Sequence, residues 1–313
     1  ACYPAIVTIG QLLEATEAED FVPEKSAILF SQTCGPCRAT NYPTLLDWAL
    51  RDKGFPNLPV LTLSGRALTG HAHLKLGLKG LKHLSMAIVL GDVLQRLYLH
   101  AQAGEIVKGS ADIALKLATP TAAKAAATGK LEEFDDAVRE IVNVFNAVEL
   151  DGKQRPKVGI VGEIYVKYSS FGNNGLEQFL LSQGCEYMVP GVLGFFQYCF
   201  ANIEMDHKYY GGSRLKLLIG RKAEQIAGAW EDWLIEALES YPEFVPPISF
   251  EKIKALADRV IDRGVKMGEG WLLPGEAAEL IEKGYTNIIC AQPFGCLPNH
   301  IVGKGTIRRL REL

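Results

Sequence analysis

The chain has 313 residues, 48% of them hydrophobic and 22% charged, with a net charge of -3. That usage excludes a mostly disordered, collagen-like or coiled-coil chain, and the slight acidity gives no footing for a nucleic-acid partner or an acidic membrane surface. The length exceeds that of a usual single core and predicts two α/β lobes.

At the amino end, Ala1 to Ala5 reads as a loop that holds Cys2. It carries no initiator Met, no basic start and no apolar stretch of an export signal. The chain stops inside the helical-looking segment Thr306–Leu313, which suggests a fragment cut at one or both ends. Ala27–Phe30 is a short apolar run that ends at the polar loop Ser31–Cys37. A helical pattern follows through Leu45, Leu46, Trp48, Ala49 and Leu50, then a second strand, Leu58–Leu63, closed by Ser64 and Gly65. Strand, helix, strand is the unit of a parallel sheet. From Lys79 apolar residues recur at helical spacing, through Leu84, Ile88, Val89, Val93, Leu94 and Leu97. The pattern continues through Ala122–Ala127 and the stripe Phe134, Val138, Ile141, Val142, Phe145 and Val148. These helices are assigned to the first lobe, residues 1–152, and the polar stretch Asp151–Pro156 marks its boundary.

The second lobe, residues 153–313, opens with the buried-looking strand Lys157–Gly162. A turn at Phe171–Gly175, a helix at Leu176–Ser182 and a strand at Glu186–Val189 follow. The uncharged run Tyr187–Ile203 is 17 residues long and holds Pro190, Gly191 and Gly194, so it is a poor membrane span. Ile226, Trp230, Trp233, Leu234, Ala237 and Leu238 mark an amphipathic helix. Two more are expected at Ile253–Gly264 and Pro274–Lys283. The last strand, Asn287–Cys290, runs into the loop Ala291–His300. The expected architecture is α/β: two Rossmann-like lobes with parallel sheets plus attached helices. A ligand cleft is expected between the lobes, at the carboxyl ends of strands.

Seven cysteines, Cys2, Cys34, Cys37, Cys185, Cys199, Cys290 and Cys296, are an odd number in a long chain without an export signal. That argues against a secreted disulfide framework. Cys34-Gly35-Pro36-Cys37, between a strand and a helix, has three readings. The first is a thioredoxin-type redox pair whose thiol pKa the helix dipole would lower. The second is a pair of ligands at a spacing suited to zinc or an iron–sulfur cluster. The third is an inert structural pair. A second cysteine loop, Cys290 to Cys296, also follows an apolar strand and carries Pro293 and Gly295 as turn formers. Two such loops at two carboxyl ends would face each other across a cleft, and Cys2 would join them.

The segments Cys2–Ala5, Thr33–Arg38, Lys157–Tyr165 and Gln292–His300 stand in one order along nearly the whole chain. They resemble the 2-hydroxyacyl-CoA dehydratase-related and activase-related proteins, the iron–sulfur superfamily that includes benzoyl-CoA reductase subunits and the double-cubane cluster proteins. The resemblance implies a 4Fe–4S or double-cubane (8Fe–9S) cluster held by cysteines in the interlobe cleft, with one iron open to substrate or to a bridging sulfide. It implies Cys34, Cys37 and Cys296 as ligands first, then Cys2 and Cys290. Cys199 reads equally as a ligand and as a core thiol, and Cys185 as structural. It also implies that this stretch is the C-terminal part of a longer polypeptide. The implied partner is an ATP-hydrolysing activase module, separate or fused, because no Gly-x-x-x-x-Gly-Lys-Ser/Thr loop occurs here. The implied substrate is a CoA thioester or a small molecule. The implied setting is a cytoplasmic ATP-dependent reductase or dehydratase system, with a homodimer as one form of assembly. Two alternatives stay open: a thioredoxin-like thiol–disulfide oxidoreductase using Cys34 and Cys37, and a zinc-stabilised structural module.

Other residues are weaker candidates. His300 reads either as a cap for the following helix or as a donor beside a cluster. His71 and His73 read as a solvent-facing pair. Gly303-Lys304-Gly305 reads as helix initiation before an anion loop, and Trp230 and Trp233 as core.

Overall fold

The amino terminus is helical where the sequence reads as a loop. In the computed structural model, which describes residues 2–33, 35, 37–63, 72–73, 77–239 and 246–313, helix α1 spans Tyr3–Glu14. Pro4 stands in its first turn, where a missing backbone N–H costs nothing. Ile9, Leu12 and Leu13 of α1 pack on a small core of Leu46, Leu50, Leu58 and Val60. Strand β1 (Ile28–Ser31), helix α2 (Tyr42–Asp52), strand β2 (Val60–Leu63) and strand β3 (Ala72–His73) complete this first unit. Its sheet is parallel, in the order β1-β2-β3, with Ile28 opposite Val60. Cys34, Pro36 and the stretch Ser64 to His71 lie outside the described residues.

Helices α3 (Leu78–Gly104), α4 (Ser110–Thr128) and α5 (Leu131–Asn146) come next. Helix α4 buries Ala111, Ala114, Ala118, Ala122, Ala125 and Ala126. These small side chains at helical spacing let its neighbours approach closely. Pro120 lies on the exposed side of α4, where the hydrogen bond it removes faces water.

Strands β4 (Lys157–Gly162), β5 (Glu186–Met188) and β6 (Asn287–Ala291) form the second sheet, parallel and in the order β5-β4-β6. Central β4 is a near-continuous apolar run and is buried along five of its six residues, as a covered parallel strand should be. Helices α6 (Ile164–Tyr168) and α7 (Leu176–Ser182) carry the chain from β4 to β5. Helices α8 (Leu193–Tyr210), α9 (Arg214–Glu239), α10 (Phe250–Val260) and α11 (Leu272–Glu282) carry it from β5 to β6. Because the chain leaves β4 toward one side and returns on the other, β4 and β6 flank a topological switch point, where open sheets leave a crevice beyond the carboxyl ends. A π-helical turn, Asn299–Gly303, and helix α12 (Ile307–Arg311) follow β6.

The sequence-based assignment attaches α3–α5 to the first sheet, and the packing differs. Leu193 of α8 and Leu234 and Leu238 of α9 share one core with α3–α5, and Phe134 meets Trp233 with ring centroids 3.8 Å apart. Trp230 and Trp233 are thus core residues, as expected. Helix α3 buries Met86, Val89, Leu90, Val93, Leu94, Leu97, Leu99 and Ala101, an apolar band wider than one face. Periodicity shows that such a helix is buried and says nothing of which sheet covers it. The segment after α5 also folds back, since the Ile106 N–H donates to the Glu149 carbonyl and the Asp151 N–H to that of Gly104, each at 2.9 Å. Among the described residues the architecture is therefore mixed α/β with two three-stranded parallel sheets, the helical layer lying with the second.

Candidate functional site

The loop after β1 is braced by its own polar groups. The Gln32 side-chain amide donates to the Thr40 carbonyl at 2.8 Å, and the Thr40 hydroxyl to the Gly35 carbonyl at 2.9 Å. Cys37 has extended backbone and precedes a 3₁₀ turn, Arg38–Asn41; α2 begins only at Tyr42. Cys37 therefore does not occupy the first turn of an α-helix. Burial pushes the Cys37 thiol above its usual range. The Ala39 N–H offsets this in part, and the Glu269 carboxylate, Cys2 and Glu163 add to it. Cys2, just ahead of α1, lies with its Sγ 3.1 Å from the Tyr42 hydroxyl. Burial and that contact hold the Tyr42 phenol well above its ordinary range.

On the second sheet, the carboxyl end of β4 depends on a glycine. Gly162 has φ +135°, and a Cβ there would lie 2.3 Å from the Ala291 carbonyl oxygen. Only a residue without a side chain lets β6 close on β4 at this point. The Glu163 N–H then donates to that carbonyl at 3.1 Å. The Glu163 carboxylate accepts from the Val166 N–H at 2.9 Å and caps α6. Glu269, from the loop between α10 and α11, accepts from the Ile164 N–H at 3.1 Å. Burial pushes the Glu163 carboxyl up to about 7; the Val166 N–H works against this and the charge of Glu269 with it.

The loop after β6 carries Cys290 and Cys296. Gln292 Nε2 donates to Cys290 Sγ at 3.2 Å, and Asn299 Nδ2 to Cys296 Sγ at 3.1 Å. Cys290 Sγ also lies 3.7 Å from Asn299 Oδ1, so one fully buried amide spans both sulfurs. Burial raises the Cys290 thiol, with the Gln292 contact opposing. Burial likewise pushes Cys296 up to about 11 against the Asn299 contacts, and Glu269 and Glu163 raise it further. Gly303 serves this packing, because a Cβ there would meet Gln292 Nε2 at 2.4 Å and Cys290 Sγ at 3.1 Å. His300 Nε2 accepts from the Gly295 N–H at 2.9 Å and its ring stands edge-on to Phe294, so the imidazole braces the loop.

Glu163 and Glu269 each act on both Cys37 and Cys296. Cys37 also feels Cys2, and Cys290 and Cys296 both touch Asn299. Cys34 lies outside the described residues. Cys199 is exposed on α8, and Cys185 packs against the second-sheet core. The side chain of His73 lies outside the described residues with His71. Nothing in the sequence marks Glu163, Glu269, Gln292, Asn299 or Tyr42 individually as site residues. Glu163 has one indirect signal, its place directly after a buried parallel strand; Glu269, between two glycines in a loop, has none. Among the described residues, no three His, Cys, Asp or Glu side chains form a group that could hold a single metal ion, and no helix is long and apolar enough to cross a membrane. Comparison with protein-family models, with curated proteins and with solved structures gives no match to this chain.

Proposed function

We propose that this chain is a cytoplasmic iron–sulfur protein that takes low-potential electrons from an ATP-hydrolysing activase and delivers them to a CoA thioester or a small molecule. In this reading its two sheets are the cores of two Rossmann-like lobes. The residues that would hold the cluster are Cys37, Cys290, Cys296 and Cys2, with Cys34 from the same loop as Cys37. What supports the reading is that Cys37 and Cys296, from the β1–α2 loop and the β6 loop, both feel the charges of Glu163 and Glu269, that Cys37 also feels Cys2, and that one buried amide, Asn299, touches Cys290 and Cys296. Soft thiolates suit iron and sulfide, and a cubane takes each thiolate on a separate iron. When bound, a 4Fe–4S or double-cubane cluster supplies one-electron chemistry at low potential.

The protein's own residues prepare that site. Gln292 and Asn299 aim N–H donors at sulfur, contacts of the kind that tune a bound group. Burial keeps Cys37, Cys290 and Cys296 as neutral thiols near pH 7, so metal uptake must release protons and should strengthen as pH rises. The start of α2 beyond Cys37 weighs against a dithiol oxidoreductase, whose attacking thiol is lowered by a helix N-terminus. Insulin reduction and iron content of Cys34→Ser and Cys296→Ser test the reading. Loss of iron in both variants, with no disulfide reductase activity in either, is expected. Full reductase activity in an iron-free Cys296→Ser protein, lost in Cys34→Ser, would overturn it in favour of the dithiol.

A further inference from the structure

At the opposite, amino edge of the second sheet lies a second concavity, a cavity of about 350 Å³ between α3, the segment before β4, β5 and the residues leading into β6. It sits at Lys157 and Glu186, the first residues of β4 and β5, whereas the cysteine loops gather at the last. The length of β4, about 20 Å at the usual rise per residue, separates the two places. Its charged lining consists of Arg96, Lys153, Arg155 and Lys157 against one carboxylate, Glu186. Asp151, just outside, holds Arg155 through two hydrogen bonds of 2.9 and 2.7 Å.

Arg96 is the informative member. It is only 9% exposed, yet among the described residues it donates no hydrogen bond; the Glu279 carboxylate is 3.9 Å away, and Asp92 also feels its charge. None of its nitrogens is sealed off without a partner, so the planar fork of five donors stays within reach of solvent or a ligand. Lys157 adds a second charge; its nearest carboxylate, Glu186, is also 3.9 Å away, and its ammonium lies 5.3 Å from the Tyr285 ring centroid. Leu97, Leu150 and Met188 supply apolar wall.

We infer that this cavity is an anion site for a small phosphate-bearing organic molecule, with Arg96 as the bidentate fork and Lys157 as the second contact. The fork matches phosphate geometry; Asp151 already pairs Arg155 and Lys153, so Arg96 and Lys157, whose carboxylates stand 3.9 Å off, are the cations left to a ligand. The volume exceeds that of a bare phosphate and lies at the lower end of ordinary ligand pockets. Tyr285 and the apolar wall would take the organic part. The site does not depend on the cysteine loops or on any metal they would hold.

Calorimetric titration of the whole chain with inorganic pyrophosphate, at constant ionic strength set with chloride, tests the inference. One saturable site is expected, weakened about tenfold, or 1.4 kcal/mol, in Lys157→Gln and abolished in Arg96→Gln. Binding should be unchanged in Cys296→Ser. Arg96→Gln removes the partner of Glu279 and can lower stability, so the partly exposed Lys157→Gln carries the test where the first variant does not fold. Absence of saturable binding in the millimolar range, or equal binding by wild type and Lys157→Gln, would overturn the assignment.

Discussion

Burial decides the ionic state of the groups that matter most at the residue scale. Glu231 is pushed up to about 7 by burial, against the lowering effect of the Phe250 N–H it accepts at 2.7 Å. The folded protein therefore keeps a proton that the unfolded chain releases near its usual 4.5. Stability from this group is full below about 4.5 and is lost as pH rises to about 7, a change of up to about 3 kcal/mol. Urea midpoints measured across that range should fall for wild type and fall less for Glu231→Gln, which keeps an oxygen to accept from Phe250. Lys167 and Glu276 illustrate the same rule for a pair: both side chains are 4% exposed and both carboxylate oxygens lie 2.9 Å from the ammonium. Lys167→Met should cost about 3–5 kcal/mol by stranding Glu276, and adding Glu276→Leu should restore most of the loss. The cysteines were legible in the sequence because their residue type announces their chemistry. Glu163 and Glu269 were not, because an ordinary glutamate acquires its role only from burial and from what lies opposite.

Among elements, strands were easier to read than helix partners. Lys157–Gly162 was legible to the residue, since a short apolar run between polar breaks admits little else. The strands at 28–31 and 287–291 lie within one residue of expectation. Helix α1 was missed because a proline near a chain start resembles a loop, although the first turn is where helices accept it. The placement of α3–α5 was missed for a different reason: which sheet covers an apolar band is a long-range matter. The β4–β6 pairing yields a sharper expectation. Gly162→Ala places a Cβ against the Ala291 carbonyl and strains a positive φ, so it should cost about 3 kcal/mol or more. Thermal denaturation measures that loss. Gly284→Ala, also at positive φ but with open space around it, should cost less.

For the whole molecule, the two sheets differ in how firmly they are held. The first rests on a small core around Leu46, Leu50, Leu58 and Val60. Two hydrogen bonds tie its α1 to the second unit, Tyr3 Oη to the Gly172 carbonyl at 2.9 Å and Tyr165 Oη to Gln11 Oε1 at 2.8 Å. The second sheet is backed by two larger cores. Native-state hydrogen exchange should therefore find the amides of β1 and β2 opening at lower free energy than those of β4. Equal protection in both sheets would show one cooperative unit. In the proposed reading, a cluster with ligands from both units would join them. The most direct test of the account is iron and acid-labile sulfide content after anaerobic reconstitution of wild type, Cys296→Ser and Cys185→Ser. Wild type and Cys185→Ser should take up iron and sulfide together and turn brown, and Cys296→Ser should lose most of both. A wild-type protein that takes up neither, or a Cys296→Ser protein that takes up as much as wild type, would contradict the account.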